Sequence, residues 1–229
     1  PGSEGLVHKK RAHFAGKVHR VGSTLERRGV AATYDIHDRV LTNPGARRRL
    51  AQHRPVLDET QQRIVRELRE EGYSLLSFAD LFPDPADWEA VEASAARFIE
   101  DCEQGLEREA RGEPAPELRR RVGKEFVLRR YSWGVKLGFD DIWLRLAANR
   151  RMIDIANVYH GLLSKLEYVD LWYTPPVSGS NARRVSQNWH RDFNDRMLLK
   201  AFIYLVDVDD GTGPFEHIPG TEPGGVYSD

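Results

Sequence analysis

Ser186-Gln187-Asn188-Trp189-His190-Arg191-Asp192-Phe193 lies between an extended-looking segment and a strongly apolar one. On a strand, side chains two residues apart point to the same face. His190 and Asp192 would then converge, with Arg191 facing away. An imidazole nitrogen and a carboxylate oxygen aimed at one point supply two members of a 2-His-1-carboxylate set. That set suits Fe(II) and leaves coordination positions open. Such a triplet also arises by chance in a long chain, and an isolated pair reads better as a salt-bridged or hydrogen-bonded surface pair. The flanking sequence decides between the two.

Working outward, Asn194-Asp195-Arg196 is a polar turn, and Leu198 to Val206 reads as a strand. Lys200, Phe202 and Tyr204 share one of its faces; Ala201, Ile203 and Leu205 share the other. Asp210-Gly211-Thr212-Gly213-Pro214 is a tight connection to a last short strand, Phe215 to Ile218, closed by Pro219-Gly220. Upstream, Leu166 to Thr174 is rich in aromatic and branched residues and reads as a strand, followed by a Pro175-Pro176 loop. Lys200 and Tyr204 are candidate contacts for a bound carboxylate, and Trp172 and Tyr173 are further candidates on the preceding strand. Core packing is the commoner fate of each aromatic.

The preceding region is helical in pattern. Asp58 or Thr60 is placed to cap a helix with Ile64, Val65 and Leu68 on its apolar side and Gly72 as its stop. Tyr73 to Phe78 reads as a short strand. Asp87 is placed to cap a helix from Trp88 to Glu109. Lys124 to Tyr131 fits helix or strand. Asp140 or Asp141 starts another helix, followed by a helical run from Met152 to Leu163. His160 in that run reads as structural rather than as a ligand.

At 229 residues the chain can bury one sizeable core, and 40% hydrophobic with 30% charged residues is a globular composition. The net charge of -1 gives no global pull toward nucleic acid or anionic membrane. Residues 1–55 concentrate Lys9, Lys10, Arg11, Lys17, Arg20, Arg27 and Arg28 among His8, His13 and His19. A solvated, flexible arm is the preferred reading of such a run over a nucleic-acid patch, so nucleic acid is not an expected partner. The single Cys102 excludes an internal disulfide, points to a reducing cytoplasmic setting, and reads as a packed or surface thiol. No apolar run reaches the roughly 20 residues needed to cross a bilayer, and membrane association is not expected. Starting at Pro1 without a Met and stopping at Asp229 after a Pro/Gly-rich turn, the chain is expected to be part of a longer protein.

Three elements stand in fixed order: Trp189-His190-Arg191-Asp192, the strand Lys200 to Leu205, and Gly213-Pro214-Phe215-Glu216-His217-Ile218-Pro219-Gly220-Thr221. Together they resemble the phytanoyl-CoA dioxygenase-like family of Fe(II)/2-oxoglutarate-dependent oxygenases, over about residues 165–225. The resemblance implies an α+β fold: a double-stranded β-helix, or jelly roll, with supporting N-terminal helices. The organisation is then a basic arm over 1–55, a helical support over 56–164 and the first part of the jelly-roll core over 165–229, its later barrel strands beyond the chain. It implies His190 and Asp192 as iron ligands, with 2-oxoglutarate as cosubstrate alongside dioxygen. The implied reaction couples decarboxylation of 2-oxoglutarate to succinate with hydroxylation of a small organic substrate.

The sequence departs from the family pattern in places. The second His ligand and the Arg that pairs with 2-oxoglutarate lie on later strands in the family and are not found here. Glu222 stands where the family usually has a His after the Pro-Gly-Ser/Thr turn. His217 as the third ligand is the minor reading; packing on the sheet is preferred. Asp192 itself favours hydroxylation over halogenation, because halogenating relatives replace the carboxylate with a small residue. The rival expectation is a non-catalytic jelly-roll binding module or an inactive fragment.

Overall fold

A computed structural model of the chain describes residues 43–115, 119–121, 124–130, 137–175, 188–190 and 198–221. The first helix, α1 (Pro44–Gln52), carries Pro44 in its first turn and buries Leu50, with Arg48 and Arg49 exposed. It lies inside the stretch expected to be an arm. Helix α2 (Glu59–Glu70) begins at Asp58, whose carboxylate accepts from the Gln61 N–H at 2.8 Å while Gln61 Oε1 accepts from the Asp58 N–H at 2.9 Å. This reciprocal capping box satisfies two amides that a helix start leaves unpaired. Gly72, at φ 80, turns the chain where α2 stops.

The expected strand over Tyr73 to Phe78 differs. Residues 73–77 join no ladder, and Phe78 opens the short helix α3 (Phe78–Leu81). The reason is local: Ser77 and Asp80 form a second capping box that draws Phe78 into a helical turn. The long α4 (Pro85–Ala110) also starts earlier than expected. Asp84, not Asp87, caps it, and Pro85 takes the first turn, where a missing N–H costs nothing. Asp141 caps α5 (Ile142–Ala147) by accepting from Trp143 and Leu144, and Asn149 caps α6 (Arg150–His160). Gly161 stops α6 in the left-handed conformation at φ 69.

The ambiguous Lys124 region is extended. Strand β2 (Lys124–Arg129) pairs antiparallel with β1 (Arg119–Arg121) on one side and with β3 (Trp172–Tyr173) on the other. Leu128 stands opposite Tyr173, and Arg129 opposite Trp172. Opposed residues share a face, so Leu128, 1% exposed, looks with Tyr173 into the helical layer. Arg129 and Trp172 look the other way. On that second face Arg129 pairs with Asp170, and Trp172 Nε1 donates to the same carboxylate at 2.6 Å.

One core joins the layers: Ile64, Val65 and Leu68 from α2, Val91, Ala95 and Phe98 from α4, Trp143 and Leu146 from α5, Ile155 and Val158 from α6. The buried Trp143 indole donates to Ser94 Oγ at 2.9 Å, so no donor is stranded. Arg151 is the polar tie at one end of the α2–α6 contact. It donates to Asp58 at 2.8 Å and to the carbonyls of Asp80 and Leu81. Among the described residues no helix is long and apolar enough to cross a membrane.

Two predictions follow from these ties. Arg129 and Asp170 are 12% and 4% exposed at their side chains, and removing one partner of such a pair typically costs about 3–5 kcal/mol. Asp170→Asn should lower unfolding free energy in urea by roughly that amount, whereas the paired apolar replacement Arg129→Met with Asp170→Leu should cost far less. Asp58 is held below its ordinary value of 3.8, chiefly by the Gln61 N–H and further by Arg151. The unfolded chain therefore binds more protons in acid. The Asp58 carboxylate stabilises the fold above that ordinary value and loses its contribution as pH falls through the folded-state pKa. The stability gap between wild type and Asp58→Asn should be present at neutral pH and close in acid, as read by denaturation at stepped pH.

Candidate metal centre

His190 is exposed, in a three-residue described stretch with Asn188 and Trp189. Its Nδ1 lies 2.8 Å from the Asn188 carbonyl oxygen. A carbonyl can only accept, so Nδ1 carries a proton, and in the neutral ring the lone pair is that of Nε2. A second-atom hydrogen bond to a backbone carbonyl is the usual way a protein fixes the tautomer of a ligating imidazole. Asp192, with Arg191 and Glu222, lies outside the described residues. Among the described residues, no three His, Cys, Asp or Glu side chains gather into a group fit for a metal ion. Of the two expected ligands, His190 alone is among the described residues.

The segment after the motif, expected as a strand from Leu198 to Val206, joins no ladder among the described residues, and Ala201 is exposed rather than sharing the inward face of Ile203 and Leu205. Leu199, Ile203 and Leu205 pack against the helical core, while Phe202 and Tyr204 are about half exposed, at 50% and 49%. Lys200 is exposed on the same alternation. The chain then reverses through a locked turn. The Thr212 N–H donates to the Asp209 carbonyl at 3.0 Å, the Gly211 N–H to Asp209 Oδ1 at 2.9 Å, and Gly213 takes φ 77. This return lays Phe215 beside the outward face: its ring is 5.0 Å from Phe202, and its N–H donates to the Tyr204 hydroxyl oxygen at 3.2 Å. Tyr204 acts there as acceptor, which leaves its own O–H proton to be given elsewhere. His217 sits against Tyr73, ring centroids 5.7 Å apart, and its buried Nε2 has no hydrogen-bond partner among the described residues.

Trp172 and Tyr173 are separated by the pleat. Trp172 is held by Asp170 and lies under the Arg129 guanidinium, 5.6 Å from its ring centroid. Tyr173 turns toward α4, where burial first, and then the Glu103 carboxylate it bonds, push its pKa up. These two candidates occupy opposite faces, so one pocket wall would not hold both. The Arg129–Asp170 pair was not singled out in the sequence reading. Its partners are 41 residues apart, and the one hint was Asp170 within the apolar run from Tyr168 to Tyr173.

No family model, curated protein or solved structure matches the chain.

Cys102 is packed, 3% exposed, and burial together with the neighbouring Asp101 and Glu103 carboxylates pushes its thiol up to about 11. It belongs to the α4 core and not to a nucleophilic site. Native protein at pH 8 should react with a thiol-disulfide reagent only at its unfolding rate, and full, immediate labelling should require denaturant.

Proposed function

We propose that this chain carries the first part of the metal centre of an Fe(II)/2-oxoglutarate-dependent oxygenase that hydroxylates a small organic substrate. The supporting observation is the Nδ1–H bond from His190 to the Asn188 carbonyl, the kind of contact that orients a ligating imidazole. The ordered motifs from Trp189 to Thr221 support the family reading. His190 and Asp192 would hold the ion, and a jelly roll is the architecture we propose for residues 165–229, of which the described part shows the short strand Trp172–Tyr173.

Bound there, Fe(II) would supply dioxygen activation coupled to oxidation of 2-oxoglutarate. The chain's own residues would bind and orient. Lys200 and the O–H of Tyr204, on the outward face of their segment, suit a carboxylate acceptor. Phe202 and Phe215 form an apolar wall beside them. Trp172 is engaged with Arg129 and Asp170 on the second face of the sheet. Of the two aromatics in β3 it is therefore the one that remains a candidate contact; Tyr173 serves the helix interface.

The test pairs binding with turnover. Equilibrium dialysis against Fe(II) without oxygen should show saturable binding, and His190→Ala should weaken it by more than the roughly 10–100-fold that loss of an outer contact costs. The same variant should stop conversion of 2-oxoglutarate to succinate. Fe(II) binding that is unchanged by His190→Ala overturns the assignment and leaves the jelly-roll binding module as the better reading.

A further inference from the structure

A cleft of about 440 Å³ opens between the loop after α1, one face of α2 and the C-terminal half of α6. Its volume falls within the range of small-molecule sites, roughly 300–1,000 Å³. The floor is apolar: Leu57, Val65 and Val158, the last two 5% and 8% exposed. The rim is cationic, with Arg54, Arg66 and Arg69. Glu70 also lines it, so three guanidinium groups against one carboxylate leave a formal balance of two positive charges.

Local structure explains the arrangement. Arg66 and Arg69 are three residues apart and share a face of α2, where like charges repel slightly. Arg69 Nη2 donates to the Val158 carbonyl at 2.9 Å, which fixes that guanidinium over the floor. The Gln62 amide donates to the Leu57 carbonyl at 2.7 Å and closes the seam between loop and helix. Arg54 and Arg66 form no salt bridge with another described residue. Elsewhere on these helices arginines do pair, as Arg63 does with Glu67 and Arg151 with Asp58. Repelling cations gathered around an apolar hollow are stabilised by an anion between them.

We propose that this cleft is a binding site for a small organic phosphate, its phosphate on the arginine rim and its carbon body on the Leu57, Val65 and Val158 floor. The charge matches: a phosphate monoester carries about −1.5 to −2 at neutral pH, against the balance of two positive charges on the rim. Guanidinium forks fit phosphate oxygens in pairs, with stronger hydrogen bonds than neutral donors give. The proposal is independent of the iron assignment, since it shares no residue with it.

The test uses the whole chain at fixed ionic strength, by calorimetric titration with hexyl phosphate, inorganic phosphate and hexanoate. Hexyl phosphate should bind saturably, and at least tenfold more tightly than either of the other two. Arg54→Gln with Arg66→Gln should weaken it at least tenfold while leaving the unliganded protein cooperatively folded, because neither side chain forms a hydrogen bond or salt bridge with another described residue. No saturable binding at millimolar hexyl phosphate, or equal binding by the double variant, overturns the site. Hexanoate binding as tightly as hexyl phosphate overturns the phosphate assignment.

Discussion

The Arg129–Asp170 pair sets the orientation of every strand residue around it. Burying a guanidinium and a carboxylate carries a desolvation cost of several kcal/mol per ion, offset only where each charge is well paired. Here the carboxylate takes both the guanidinium and the Trp172 indole N–H, and the guanidinium lies over the Trp172 ring. Sliding β3 by one residue would carry Asp170 and Trp172 together away from Arg129 and would turn every side chain to the other face. The register of Leu128 with Tyr173 therefore follows from an ionic contact on the opposite side of the sheet. With it follows the docking of the sheet on α4.

The helical half has its own constraint. Arg151 ties the start of α2 to α6 and to the end of α3, and Arg69 ties the far end of α2 to the Val158 carbonyl. Between these two clamps lie Ile64, Val65, Leu68, Ile155 and Val158, all buried. The clamps act on backbone carbonyls and a cap carboxylate, so they hold the helices in length and register while the apolar face supplies the burial energy. Val65 and Val158 are shared between that face and the cleft floor, which makes the floor as rigid as the core itself.

What the sequence made legible was local chemistry. Asp58, Asp141 and Gly72 were readable as helix boundaries because capping depends on residues within one turn. Where two local signals competed, the choice failed. Asp84 with Pro85 outranks Asp87, and the Ser77–Asp80 box overrides the β-prone run ending at Phe78. Helix α1 lies within the stretch assigned to the arm, although Pro44, buried Leu50 and the solvated face of Arg48 and Arg49 mark it. The separation of Trp172 from Tyr173 was implicit in strand alternation, but which face is which depends on Asp170 and Arg129, a contact across 41 residues. Of the candidate centre, the outward face of Lys200, Phe202 and Tyr204 was legible from period-two patterning. The contact of Tyr204 with Phe215 needed the Asp209 turn.

The two halves of the candidate centre are organised by different ranges of interaction. His190 is oriented by a carbonyl two residues away, a contact that the stretch can make without help from the rest of the fold. The face carrying Phe202 and Tyr204 is oriented only because Leu199, Ile203 and Leu205 are committed to the helical core. A fixed tautomer lowers the reorganisation needed when an imidazole meets a metal, yet a single donor holds an exchangeable ion weakly. Affinity comes from bringing further donors to the same point. In the proposed centre the helical layer would contribute by anchoring the segment that carries Phe202 and Tyr204.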